Sequence, residues 1–292
     1  MLSPEILKQI RRLELRARRA VQSLLGGEYH SVFKGTGLSF DEVREYQPGD
    51  DVRGIEWNVT ARMGHAFIKR YIEERELTVM LLVDQSASLQ FGTGASTKRA
   101  AVAELAALIA FAAEKNNDRI GLLAFSDIIE KQVPPAKGSR HVLRLLSDIL
   151  NPQSREPGTN LKLALEQLLK TQKRRAIVFV FSDFIGTGHE DTFRRAAFRH
   201  DLIAVRVQDA RELSWPNVGF VQLQDAETGQ QFLLDTASNE LRSQFAAQAE
   251  ARREAFQKLV RSSRADGIEI STDGQHFEQL LKFFRMRERR RN

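Results

Sequence analysis

Five residues, scattered along 292 positions, carry side chains that could act together on one ligand. They are Asp84, Ser86, Ser88, Thr159 and Asp183. The first three occupy alternate positions in LLVDQSASLQFG, residues 81–92, where an apolar run stops at a carboxylate and two hydroxyls follow. In an extended stretch, alternate side chains point to the same side, so these three can be aimed at a common point. Asp183 ends a second apolar run, AIVFVFSD, and Thr159 stands in PGTN at the entrance to a helical segment. Two carboxylates and three hydroxyls form an oxygen-only set. Hard divalent cations (Mg²⁺, or Mn²⁺ or Ca²⁺) take such ligands, and this set leaves a water-filled position that an incoming carboxylate can fill. Zinc would call for His or Cys, but the chain has no cysteine and its six histidines are scattered. Asp and Ser also favour turns and caps for purely local reasons, so the segment at 84–88 alone is equally a capped turn. The order of Thr159 and Asp183 behind it is what favours the ion.

Positioning these residues requires particular elements. Residues 77–83 read as a strand, 96–115 as an Ala/Leu-rich helix apolar on several faces, and 119–125 with 128–133 as a tight hairpin. Helices follow at 139–150 and 161–171, a strand at 175–181, a helix at 190–200 and a strand at 202–207. Residues 218–223 and 231–234 resemble an inserted hairpin, within about 211–237. A long helix at about 238–262, a strand at 268–271 and a closing helix complete the chain. Strands alternating with helices predict an α/β fold with a doubly wound, mostly parallel sheet. Such a sheet binds ligands at the carboxyl ends of its strands, where the winding reverses, and both Asp84 and Asp183 fall at such ends.

Ahead of this region, Ser3-Pro4 opens a helix with Ile6, Ile10, Leu13, Ala17, Val21 and Leu24 along one stripe, ended by Gly26-Gly27. Residues 28–76 keep no helical period. Short β-rich pieces at 29–34, 55–59 and 66–72 alternate there with turn signals, Gly35-Thr36-Gly37 among them, which predicts a small β-rich unit with Trp57 as core anchor. Its dense charges, from Asp41, Glu42 and Arg44 to Glu73, Glu74 and Arg75, read as salt bridges fixing this unit against the larger domain. The expected division is 1–76 and 77–292.

Two stretches imitate chemistry. Phe125-Ser126-Asp127 repeats Phe181-Ser182-Asp183, but the immediate return at Ile128 puts Asp127 in a hairpin turn. GTGASTK, residues 92–98, lacks the glycine that a phosphate loop needs just before its lysine, so it reads as a turn and a helix cap.

The formal charge of +6 sits at the ends. Residues 1–25 carry +4 and 285–291 carry +4, leaving 26–284 at −2. The body is therefore not a basic surface for nucleic acid, although the two termini could act together. The longest apolar run, residues 105–113, falls short of the roughly 18–20 residues a membrane-spanning helix needs. With no secretion signal pattern visible, the expected location is the cytoplasm.

The order Asp84-Gln85-Ser86-Ala87-Ser88, then Gly158-Thr159, then Ser182-Asp183 resembles the metal-ion-dependent adhesion site of von Willebrand factor A domains. Leu89 stands where those relatives usually carry Met. FDEVREYQPGDDVRGIEWNVTAR, with EEREL after it, is similar to a bacterial family, domain of unknown function 58, and the likeness extends to the inserted hairpin and FFRMRERR. The resemblance implies a Rossmann-like A domain holding one divalent ion at Asp84, Ser86, Ser88, Thr159 and Asp183. It also implies a MoxR-type AAA+ ATPase as partner and a client protein that offers an acidic side chain to the ion. On this reading the protein is a non-enzymatic adaptor. A metal-assisted phosphohydrolase is the enzyme alternative, but such enzymes need a second Asp where Ser86 stands. Nucleic-acid binding through the basic termini is the remaining alternative.

Overall fold

The structure, a computed structural model, describes residues 4–24, 39–72, 76–94, 96–152, 158–225 and 229–291. The strand expected at 29–34, Gly26-Gly27, Gly35-Thr36-Gly37, the charges Glu73, Glu74 and Arg75, and positions 153–157 and 226–228 lie outside the described residues. The chain divides into two units, Phe33–Leu77 and the combination of Met1–Val32 with Thr78–Asn292.

The first helix, α1 (Pro4–Leu24), buries the stripe Ile10, Leu13, Ala17 and Val21, as its periodicity predicts. Its place differs from the expected division at residue 76. Helix α1 belongs to the larger unit, where Arg16 pairs with Glu104 at 2.7 Å and the Arg18 guanidinium lies 4.6 Å from the centre of the Phe111 ring. An amphipathic helix needs an apolar surface, and the Ala/Leu-rich helix carrying those two residues supplies it.

The smaller unit pairs β1 (Ser39–Glu45) antiparallel with β2 (Phe67–Ile72). Between them, residues expected to be β-rich form helix α2 (Trp57–Met63), with only Ile55 bridging to Ile68. The β-branched Ile55 and Val59 suggest a strand, but the caps win. Glu56 accepts from Asn58 N at 3.3 Å, and Gly64, at φ 76°, closes the helix in the left-handed conformation. Trp57 is 70% exposed and is no core anchor; Thr60 faces β2 instead, its hydroxyl accepting from Phe67 N at 3.0 Å. Arg44 pairs with Asp50 at 2.6 Å and Lys69 with Glu56, both within the unit.

The larger unit is built on a six-stranded sheet. Its strands are β3 (Thr78–Asp84), β4 (Arg119–Phe125), β5 (Ile129–Ala136), β6 (Ile177–Ser182), β7 (Asp201–Gln208) and, after a separate hairpin of β8 (Phe220–Gln224) and β9 (Gln231–Asp235), β10 (Asp266–Ser271). The order is β10-β7-β6-β3-β4-β5, parallel except for β5. Strand β5 contains Pro134 and Pro135, which only an edge strand accommodates. The chain winds from β3 to β4 in one direction and returns to place β6 on the other side of β3. The winding therefore reverses between β3 and β6, and a crevice opens at their carboxyl ends.

Helices cover both faces. Met80, Leu82, Val178 and Val180 pack against α5 (Leu161–Thr171), α6 (Glu190–Arg199) and α8 (Asn239–Ser262). The alternate residues turn the other way, with Phe179 meeting Phe284 of α9 (His276–Arg291). That second layer is centred on α3 (Lys98–Lys115), buried on nearly every side because α1, α4 (Ser139–Leu150) and α9 pack around it. A one-turn helix, α7 (Ala210–Leu213), follows β7. Among the described residues no helix is long and apolar enough to cross a membrane.

A candidate metal centre at the carboxyl rim of the sheet

Strand β3 delivers Asp84 to the rim because its apolar side chains are locked between two helical layers and the carboxylate comes next in sequence. Gln85 N still donates to Phe125 O at 2.7 Å, so the chain turns only after the carboxylate is placed. Ser86 N then donates to Asp84 Oδ1 at 2.9 Å, bending the backbone into the single 3-10 turn Ala87–Gln90. Strand β6, in register beside β3, brings Ser182 and Asp183 to the same height.

Hydrogen bonds join the two strand ends in a closed ring. Ser182 Oγ donates to Asp84 Oδ2 at 2.8 Å, Ser88 Oγ donates to Asp183 Oδ2 at 2.8 Å, and the hydroxyls of Ser86 and Ser88 lie 3.0 Å apart. Asp183 Oδ1 accepts from Ile185 N at 3.2 Å. Asp84, Ser86, Ser182 and Asp183 are all buried. Four of the five residues singled out by sequence are thus brought together.

Thr159 is placed differently. Its loop lies on the end of β4, where Asn160 N donates to Ser126 O at 2.9 Å and the Asn160 side chain caps α5 through Leu163 N at 3.0 Å. A Cβ at Gly158 would first meet the Asp127 carboxylate, the end of an exposed side chain that can turn away. Thr159 Oγ1 is buried with no hydrogen-bond partner among the described residues, and no bond links it to the other four. Asp127 itself is exposed in the β4–β5 turn.

The rim holds more charge than the sequence pattern indicates. Lys98, the first residue of α3, is fully buried, with Nζ 2.7 Å from Glu212 Oε1 and 3.3 Å from Asp183 Oδ2. Burial works against its charge, but Asp183 and Glu212 outweigh that and hold the ammonium above the usual lysine range. Asp84 is pushed up to about 7, first by burial and then by the Asp183 charge, although hydrogen bonds from Ser86 and Ser182 pull the other way. Arg99 is lowered by burial, against the pull of the Asp84 charge, and leaves Nε and Nη2 without partners among the described residues. Sequence reasoning missed Lys98 because its partners lie 85 and 114 positions away. Glu212 had a visible signal, the Asp209-x-x-Glu212 spacing of a capping box.

Among the described residues no group of three or more His, Cys, Asp or Glu could hold a metal ion, so any ion here must rely on hydroxyls. The donor set suits that role. It offers hydroxyl and carboxylate oxygens only, it includes an orphaned threonine oxygen, and it contains a carboxylate that burial beside a second carboxylate forces toward neutrality. Lys98 is the group with which a cation would share Asp183.

Residues 42–255 match the family described as "Protein of unknown function DUF58". The chain belongs to that family. All the rim residues lie inside the matched region. "Uncharacterized protein Rv1480" of Mycobacterium tuberculosis and "Uncharacterized protein Mb1516" of Mycobacterium bovis are each 34% identical over 98% of this chain and 91% of their own length. Among solved structures, an aerotolerance-related membrane protein from Bacteroides fragilis aligns at 15% identity over 72% of this chain and 99% of that one, with a TM-score of 0.47. BatB from Bacteroides thetaiotaomicron gives 15% identity, 73% and 99% coverage, and a TM-score of 0.46.

Proposed function

We propose that this DUF58 protein is a non-enzymatic interaction module whose docking depends on a divalent cation. Asp84, Ser86, Ser88, Thr159 and Asp183 hold Mg²⁺, or Mn²⁺ or Ca²⁺, and an acidic side chain of a partner completes the coordination. The observation that carries this reading is the hydrogen-bonded ring of Asp84, Ser86, Ser88 and Asp183 at the point where the winding reverses. The orphaned Thr159 oxygen supports it. When bound, the ion supplies a Lewis-acidic point for a carboxylate. The protein's own residues fix the oxygens in place, and Lys98, paired with Glu212, holds the Asp183 carboxylate in position. The resemblance to von Willebrand factor A domains associated with MoxR-type AAA+ ATPases extends the proposal to such an ATPase as partner, acting on a client protein.

A phosphohydrolase finds less support, because the position of the needed second carboxylate is Ser86. Nucleic-acid binding is weakened by the use of terminal arginines in packing. Arg287 is buried against Asp201 and Asp266, and Arg16 pairs with Glu104.

Adding Mg²⁺ or Mn²⁺ to metal-stripped protein should raise its melting temperature by mass action, and Asp84→Ala should abolish the rise. Equal behaviour of wild type and variant at millimolar metal would overturn the metal reading. Proteins that co-purify with wild type but not with Asp183→Ala would identify the partner.

A further inference from the structure

Helix α1 turns a second stripe outward. Ile10, Leu13, Ala17 and Val21 are buried on one side, while Lys8, Arg11, Arg12, Leu15 and Arg19 are exposed on the other, mostly at three- and four-residue steps. Leu15, in the middle of these basic side chains, is 59% exposed. Among the described side chains of α1 the one acid is Glu14, which turns to Arg18 at 3.0 Å. Helix α9 repeats the pattern. It buries Leu280, Leu281, Phe283 and Phe284 and exposes Lys282, Arg285, Met286 and Arg289. Met286, again an apolar side chain among cations, is 45% exposed. Among the described side chains of α9 the exposed acid is Glu278, four residues before Lys282.

The two stripes belong to one layer. Arg16 of α1 reaches Glu104 of α3 at 2.7 Å, and His276 of α9 lies 2.7 Å from the other oxygen of the same carboxylate. The Arg16 guanidinium also lies 5.5 Å from the centre of the Phe277 ring. Each helix keeps its apolar side toward α3 and the sheet, so each basic stripe points outward. Helix α4, in the same layer, adds exposed Arg140 and Arg144, one turn apart. The opposite layer has no such bias. Exposed Lys162, Glu166 and Lys170 alternate in sign along α5, and exposed Glu250, Arg253, Glu254 and Lys258 mix along α8.

Cations spread over several helices of one layer suit an extended anionic surface better than a single anionic side chain. A nucleic-acid duplex and a bilayer containing acidic lipids are two such surfaces, and Leu15 with Met286 decides between them. Against a duplex each would face phosphates and gain nothing. At a bilayer each enters the boundary between headgroups and acyl chains while the neighbouring cations meet the headgroups. The described side chains of α1, α4 and α9 also expose no aromatic ring that could stack on a base.

We propose that α1, α4 and α9 form a membrane-facing surface that holds the protein on an anionic bilayer. Their lysines and arginines bind lipid headgroups, and Leu15 and Met286 enter the interface. The inference goes beyond the docking role of the rim and requires no ion there.

Co-sedimentation with lipid vesicles tests this, in EDTA so that no divalent ion bridges protein and lipid. Vesicles containing about a third phosphatidylglycerol should bind the protein, pure phosphatidylcholine should not, and raised salt should release it. Arg11→Gln combined with Arg12→Gln should weaken binding about thirtyfold. Leu15→Ser should weaken it severalfold. All three side chains are exposed, so the variants should fold. Lys162→Gln combined with Lys170→Gln removes the same charge from the opposite layer and should leave binding unchanged. Binding to neither vesicle, equal binding to both, or equal losses from the two pairs of substitutions would overturn the surface. A DNA duplex bound more tightly than the vesicles, with Leu15→Ser without effect on either, would reassign it to nucleic acid and overturn the lipid reading.

Discussion

Two buried aspartates at the ends of neighbouring parts of one sheet behave in opposite ways. Asp209, just beyond β7, is fully buried, and burial alone would raise its pKa. It nevertheless lies at about 2, because Thr272 Oγ1 and Thr93 Oγ1 donate at 2.6 Å, Thr93 N at 3.0 Å and Arg211 N at 2.9 Å. Asp84, at the end of β3, is served by Ser86 and Ser182 but has a second carboxylate beside it, and lies at about 7. Burial is common to both; the company differs. A carboxylate whose lone pairs are filled by donors is finished as structure, whereas one left beside another carboxylate has a need that a cation would meet.

The contrast between the two aspartates is most exposed to disruption at Lys98. That residue mediates between them through Asp183 on one side and Glu212, the capping partner of Asp209, on the other. Lys98→Met strands two carboxylates and should cost about 3–5 kcal/mol in chemical denaturation without metal. Added Mg²⁺ should return part of that loss. Asp209→Ala should come next, at roughly 3 kcal/mol, since it removes the cap of α7 and the acceptor for two hydroxyls and two amides. Its Mg²⁺-induced rise in Tm should persist. Asp84→Asn should reverse the pattern, staying within about 1 kcal/mol of wild type without metal. It should lose the Mg²⁺ gain, which in wild type is about 2.7 kcal/mol at a hundredfold excess over Kd.

The smallest effect concerns His200, a buried group with unmet polar atoms. Both its ring nitrogens lack partners among the described residues, and burial, then Arg199 and Arg175, push it down to about 4. The unfolded chain takes up a proton near pH 6.5 where the folded one does not. The contribution of neutral His200 is therefore complete above about pH 6.5 and is lost as pH falls toward 4. His200→Leu should flatten the wild-type loss of denaturation midpoint over that window.

Much of this was legible in the sequence, for identifiable reasons. Apolar runs stopped by Asp84 and Asp183 mark strand ends without any long-range information, and alternation of strands with helices implies the double winding. Where the reading failed, a local signal lost to context or distance. Ile55 and Val59 suggested a strand while Glu56 and Gly64 capped a helix. Trp57 suggested a core and is exposed. Helix α1 lies far in sequence from the α3 surface that it covers. Lys98 looked like the start of an ordinary helix because nothing local reveals Asp183 and Glu212 beside it.

The proposed function stands or falls with one divalent ion bound at the rim through Asp84, Ser86, Ser88, Thr159 and Asp183. Electron paramagnetic resonance of Mn²⁺ titrated into metal-stripped protein counts free and bound ion directly. One bound Mn²⁺ per wild-type chain, displaced by Mg²⁺ and absent in folded Asp183→Ala, is the expected result. Free Mn²⁺ in full at millimolar concentration, or equal binding by wild type and Asp183→Ala, would contradict it.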